Sequence, residues 1–204
     1  MTDLKNDTLK DTDSISEDKK AEILEKYDAE SKVRKFDNKK IVLMVSAIAI
    51  LYSLFHLYVT FNPMPALQQR AVHVAVGIAL IFILYPVTKK QNRKKVAWYD
   101  WILFLLALGS AGYLIAEYTQ IVTSRGGIPN TLDILVAIMT VILVLEAARR
   151  VTGIILPIIA LIFLAYPFVS HMNWMPLKMA TRPYDLGDIF GQLFLKTDGL
   201  YSTA

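Results

Sequence analysis

The sequence predicts an all-α membrane protein: a polytopic helix bundle of about five transmembrane helices, with a charged cytoplasmic helix ahead of them and a short amphipathic helix behind. Three observations predict it. Of the 204 residues 54% are hydrophobic, and they fall into long unbroken runs. The runs reach the roughly 20 residues that a helix, rising about 1.5 Å per residue, needs to cross about 30 Å of hydrocarbon. Charge is concentrated in residues 1–40 and a few short loops, and the long stretches between them carry almost none.

Residues 1–40 hold ten Lys/Arg and eleven Asp/Glu and form a polar cytoplasmic segment. Up to about Thr12 the composition is that of a disordered chain. Ser14 and Glu17 have capping-box spacing, and Ile23, Leu24, Tyr27 and Phe36 give a thin apolar stripe, so a helix is predicted over 16–36. Span one is Ile41–Phe61. It ends at Asn62-Pro-Met-Pro65, because proline cannot continue the hydrogen-bond ladder. Span two is Ala71–Thr88, followed by the basic loop Lys89–Lys95. Span three is Trp98–Tyr118, and Thr119–Asn130, with Gly126, Gly127 and Pro129, reads as a loop.

Leu132–Val169 is almost continuously apolar over 38 residues. A single helix of that length would measure about 57 Å, too long for a membrane even when tilted. The break is expected within Glu146–Gly153, which gives span four (Leu132–Ala148) and span five (Thr152–Ser170). Behind them, Leu186, Ile189, Phe190, Leu193 and Phe194 share one helical face, with Asp185 and Asp188 at its start and Gly199 past its end. At about 12 residues this helix is too short to cross, so it is expected to lie in the interface or against a partner. The domain reading is therefore 1–40 polar segment, 41–148 four-helix membrane domain, 149–170 connecting transmembrane helix, and 171–204 extracytoplasmic tail.

Loop charge sets the orientation. Thirteen Lys/Arg flank one side: six near the start of span one, five in the 89–97 loop, and Arg149 with Arg150. The other side has Arg70, Arg125, Lys178, Arg182 and Lys196. The positive-inside rule places the first group, and the N-terminus, in the cytoplasm. Trp98, Tyr99, Trp101, Tyr118, Tyr166 and Trp174 fall near span ends, as an aromatic belt does. Membrane orientation thus accounts for the basic pI, and no nucleic-acid partner is called for.

Several chemistries find no support. There is no cysteine, and His56, His73 and His171 make no metal-binding pattern. No phosphate loop, dinucleotide loop or nucleophile elbow occurs. No catalytic, cofactor or metal residue is assigned, and the chain does not read as an enzyme. The polar residues at or inside span ends remain as candidates, since polar groups in hydrocarbon are costly. Glu146 can pair with Arg149 and Arg150 at i+3 and i+4. Arg70 and His73 lie one turn apart at the start of span two, suited to inter-helix bonding, with ligand contact or a proton relay as the alternatives. Asp100 opens span three where a helix dipole favours an anion, and Glu117 closes it. His56 reads as a packing histidine. Gly77, Gly109 and Gly112 read as points of close helix approach.

The order of elements resembles the fused permease of tripartite ATP-independent periplasmic (TRAP) transporters, in the form that works with TAXI-class binding proteins. The residues that carry the resemblance are Arg70-Ala-Val-His73, Leu84-Tyr-Pro86, Asp100-Trp101, Leu145-Glu-Ala-Ala-Arg-Arg150 with Gly153, and Thr197-Asp-Gly-Leu-Tyr201, over about residues 70–201. Ser202 stands where the family pattern has glycine. The resemblance implies a bacterial or archaeal plasma-membrane protein whose first four spans form a small scaffold subunit. A fifth span leads into a large permease domain continuing past residue 204. It implies import of small organic acids delivered by an extracytoplasmic solute-binding protein. It also implies sodium coupling, with the ion site outside this chain and no cofactor within it. Membrane lipids are the remaining partner. The alternative is a non-transporting anchor or assembly protein that recruits a partner through its charged N-terminus.

Overall fold

The computed structural model describes residues 33–88, 94–172 and 175–202. The chain divides into two units, Met1–Val33 and Arg34–Ala204, and every described helix belongs to the second. These are α1 (Lys39–Phe61), α2 (Ala66–Leu84), α3 (Trp98–Thr119), α4 (Thr131–Thr152), α5 (Ile155–Val169) and α6 (Leu186–Leu195). The described part is all-helical, and α1 to α4 are long and apolar enough to cross a membrane. The helix predicted over 16–36 lies outside the described residues as far as residue 32. Residues 33–38 are not helical. Arg34 is instead drawn against the end of α2, its backbone N–H donating to Leu84 O at 2.8 Å.

Prolines and one glycine set the boundaries. Asn38 caps α1 by accepting from the Lys40 N–H at 3.0 Å, and α1 stops before Pro63. α2 begins directly after Pro65, five residues earlier than predicted, and ends at Leu84 because Pro86 has no N–H to donate back. α3 outruns its predicted end. It passes into a π-turn over Gln120–Ser124, where the sequence read as loop, closed by Arg125 N–H to Gln120 O at 3.0 Å. α4 runs through Arg149 and Arg150 to Thr152 and breaks at Gly153, whose φ of 96° an L-residue side chain resists. Beyond the break α5 returns along α4, bringing Leu164 and Phe168 against the cluster that holds Ala137 and Val141. At 15 residues α5 is about 22 Å long, shorter than a full span.

The core is built on α2, α3 and α4. Ala71, Ala75 and Ala79 lie at i, i+4 and i+8 on α2, with Ala107, Ser110 and Ala111 on α3 and Ala137 and Ala147 on α4, all buried. Small side chains let helix backbones approach closely. The glycines expected in that role do not fill it: a Cβ on Gly77, Gly109 or Gly112 would meet nothing within 4 Å. Larger side chains fill the two ends. Phe82, Ile83 and Phe104 lie at one end, and Leu114, Ile121, Phe190, Phe194 and Tyr201 at the other. α1 stands at the margin, with Val59 its one buried residue.

The tail is part of the bundle. α6 starts on a reciprocal capping box between Asp185 and Asp188, the two acids that the sequence set at its start for the helix dipole. Its apolar face, Ile189, Phe190, Phe194 and Leu195, is buried within the chain rather than left for an interface. The turn after α6 needs Gly199, since a Cβ there would run into the backbone of Leu193 and Gln192. Tyr201 is then buried against Phe194 with ring centroids 5.7 Å apart, and burial pushes its phenol pKa up.

Candidate functional site

The polar candidates gather in three places. The largest lies where the C-terminus of α2, the N-terminus of α3 and the C-terminus of α4 meet. Asp100, in the first turn of α3, is fully buried. Its Oδ2 accepts from Arg34 Nη2 at 2.5 Å and its Oδ1 from Arg150 Nη1 at 2.8 Å, and neither guanidinium is exposed. Glu146 Oε1 accepts from Arg150 Nε at 2.9 Å and from Arg149 Nη2 at 2.8 Å, and its Oε2 from Arg149 Nε at 2.7 Å. Three guanidiniums and two carboxylates leave this cluster one positive charge in excess.

The carbonyls of α2 account for that excess. The last four carbonyls of a helix have no partner inside it, and the helix dipole gathers partial negative charge there. Pro86 removes one backbone donor that could have closed the end. Phe82 O faces Arg34 Nη1 and Arg150 Nη1, each at 3.4 Å. Ile83 O accepts from Arg34 Nη1 at 3.0 Å, Leu84 O from the Arg34 N–H, and Tyr85 O from Arg150 Nη1 at 3.0 Å. Arg149 Nη2 adds Val87 O at 3.2 Å, and the Arg150 guanidinium stacks 4.9 Å from the Phe82 ring. Among the described residues, Arg34 Nε and Arg150 Nη2 are the buried side-chain nitrogens without a hydrogen-bond partner. Five charged side chains thus converge here, Arg34, Asp100, Glu146, Arg149 and Arg150. Both carboxylates are saturated by arginine, so the cluster joins helices and offers no free base.

The second place is the opposite end of α3 and α4. Asp133, buried in the first turn of α4, forms a capping box with Asn130. Its carboxylate accepts from Tyr113 Oη and from the Asn130 N–H, each at 2.7 Å, and pairs with Arg125. The π-turn delivers Arg125 there, and its other nitrogen reaches Glu117 at 3.4 Å. Arg70 lies at the same end on α2. Its Nη1 donates to Tyr201 O at 3.0 Å and faces Thr197 O at 3.4 Å, fastening the tail.

The third place is the seam between α1 and α2. Tyr52 Oη lies 2.6 Å from His73 Nδ1, and His73 Nδ1 lies 3.0 Å from His56 Nε2. Sequence spacing had kept these side chains apart. Among the described residues no group of three or more His, Cys, Asp or Glu comes together as a metal cage.

An apolar groove of about 700 Å³ lies between α4, α5 and α6, lined by Val141, Leu145, Phe163, Leu164 and Leu193 and edged by Asp188. Of the predicted candidates, Asp100, Glu146, Arg149 and Arg150 come together, whereas Arg70, His73 and Glu117 serve separate contacts. Arg34, Tyr113, Asp133 and Tyr52 were not foreseen. The Asn130–Asp133 capping spacing was a usable signal for Asp133. Arg34 had none, being one cation among ten in residues 1–40.

Fold and polar ties together define a polytopic α-helical bundle of membrane-spanning character whose charged side chains join helix ends. Comparison with family models, with curated proteins and with solved structures finds no match.

Proposed function

We propose that this chain is the membrane scaffold of a TRAP-type secondary transporter permease, the part that stays still while a larger domain carries substrate. One observation supports the reading. The segments that carry the resemblance are the segments that the polar ties join. Arg70 binds the carbonyls of Thr197 and Tyr201, at the two ends of the last motif. The Leu84-Tyr-Pro86 turn, Asp100 and the Glu146–Arg150 segment meet in one buried cluster. A static element needs helix ends locked to one another. It does not need an unpaired carboxylate for an ion, and Asp100, Asp133 and Glu146 are all paired.

In this reading the Arg34 and Lys94 end faces the cytoplasm of a bacterial or archaeal cell, and the tail faces the opposite side. A large permease domain and a TAXI-type binding protein are the partners, small organic acids the cargo, and a sodium gradient the drive. The test is transport by the full permease reconstituted in proteoliposomes. Deleting residues 41–148 should abolish sodium-dependent uptake while the remaining domain still inserts. Undiminished uptake would reject the scaffold role.

A further inference from the structure

We propose that His56 and His73, with Tyr52, form a site for a divalent transition ion of the Cu²⁺ or Ni²⁺ type that ties α1 to α2. The inference rests on the imidazole geometry and does not depend on the transporter reading. His73 Nδ1 faces two partners at once, Tyr52 Oη at 2.6 Å and His56 Nε2 at 3.0 Å. The two rings stand edge to face, 4.9 Å between centroids and 71° between planes. A neutral imidazole has one N–H and one lone pair. Tyr52 Oη can send its proton to the His73 carbonyl, 3.1 Å away, leaving its own oxygen turned toward His73 Nδ1. With both histidines carrying their protons on the far nitrogens, two lone pairs meet across 3.0 Å. A cation between them satisfies both.

The spacing selects the ion. An ion about 2.0–2.1 Å from each nitrogen would see them at roughly 95°, as adjacent corners of a square. A tetrahedral zinc would need the nitrogens about 3.4 Å apart. Tetragonal coordination by nitrogen and oxygen is what Cu²⁺ and Ni²⁺ prefer. No further His, Cys, Asp or Glu completes the set among the described residues, so the remaining positions fall to water or lipid oxygen. His56 lies five residues before the end of α1, about 8 Å along the helix axis from it. His73 is exposed, so the approach is open. α1 buries only Val59, so a bridging ion would strengthen a sparse contact.

The experiment is Cu²⁺ titration of the whole chain, purified without a histidine tag, followed by electron paramagnetic resonance. One equivalent of Cu²⁺ should bind with couplings from two imidazoles. His56→Asn or His73→Asn should weaken binding at least about tenfold and leave a single imidazole coupling. His171→Asn should change nothing. Copper-catalysed oxidation of the unsubstituted chain, mapped by mass spectrometry, serves if a variant fails to fold. Modification at 56 and 73 supports the site, and modification only at 171 or the N-terminus rejects it. No binding at micromolar Cu²⁺, as expected if the nitrogens merely share a proton, or a two-imidazole signal that survives His73→Asn, would also overturn it.

Discussion

Arg150 donates to one oxygen of Asp100 at 2.8 Å with neither side chain exposed, and Arg34 holds the other oxygen. Buried ion pairs are usually poor stabilisers, because desolvation offsets most of the attraction. Here the same guanidiniums also serve the carbonyls of Phe82, Ile83 and Tyr85 at the end of α2, where Pro86 offers no N–H. The cluster is a helix cap assembled from distant parts of the chain.

It follows that removing the carboxylate charge is worse than removing a cation with it. Asp100→Asn leaves two buried guanidiniums facing each other and should cost about 3–5 kcal/mol. Arg34→Met with Asp100→Asn should cost less than the sum of the two single changes, because the double variant returns the cluster to its original single excess positive charge, where Asp100→Asn alone leaves two. Denaturation of the detergent-solubilised chain measures both. Wild-type stability in Asp100→Asn would show that the network contributes nothing.

Arg70 holds the tail by two carbonyls, so Arg70→Gln should free it without unfolding the helices. Trypsin should then cut after Lys196 several-fold faster than in the unsubstituted chain. Arg70→Lys, which keeps a charge but not the fork, should fall between. Equal cleavage rates in all three would mean that burial of Phe194 and Tyr201 fixes the tail alone.

Much of this architecture could be read from sequence because prolines and apolar runs act locally. Pro63 ends α1 whatever surrounds it, whereas α2 starts directly after Pro65 and stops before Pro86, outside the predicted start at Ala71 and short of the predicted end at Thr88. Other features depend on partners distant in sequence. Arg34 reads as one more cation in a charged segment until the carbonyls of α2 come to meet it. His56 and His73 sit 17 residues apart on different helices. Thr119, Gln120, Thr123 and Ser124 have loop composition. They continue α3 because Thr123 Oγ1 donates to Thr119 O and Arg125 finds Asp133 and Glu117.

The glycines provide a contrast. Gly153 has φ 96°, so Gly153→Ala should cost on the order of 1–3 kcal/mol and loosen the return of α5 along α4. Gly109→Ala meets nothing within 4 Å, lies mid-helix, and should gain about 0.5–1 kcal/mol. Thermal unfolding of the two variants should move in opposite directions. A loss at Gly109 comparable to that at Gly153 would contradict the assigned helix faces.

The start of α4 gives the sharpest graded series. Asp133 accepts from Tyr113, from the Asn130 N–H and from Arg125 through one carboxylate. Tyr113→Phe removes one hydrogen bond and should cost about 0.5–1.5 kcal/mol. Asp133→Asn keeps an acceptor but loses the charge facing Arg125, which retains only the longer contact to Glu117. Asp133→Ala loses half of the capping box as well, worth roughly a further 0.5–2 kcal/mol. Hydrogen exchange reads the order directly. Amides of residues 131–134 should open fastest in Asp133→Ala, then Asp133→Asn, then Tyr113→Phe, while amides around Ala147 stay protected because the Arg150 cluster holds that end independently. Exchange rising equally at both ends of α4 would mean that the helix stands or falls as one unit, with no local role for Asp133.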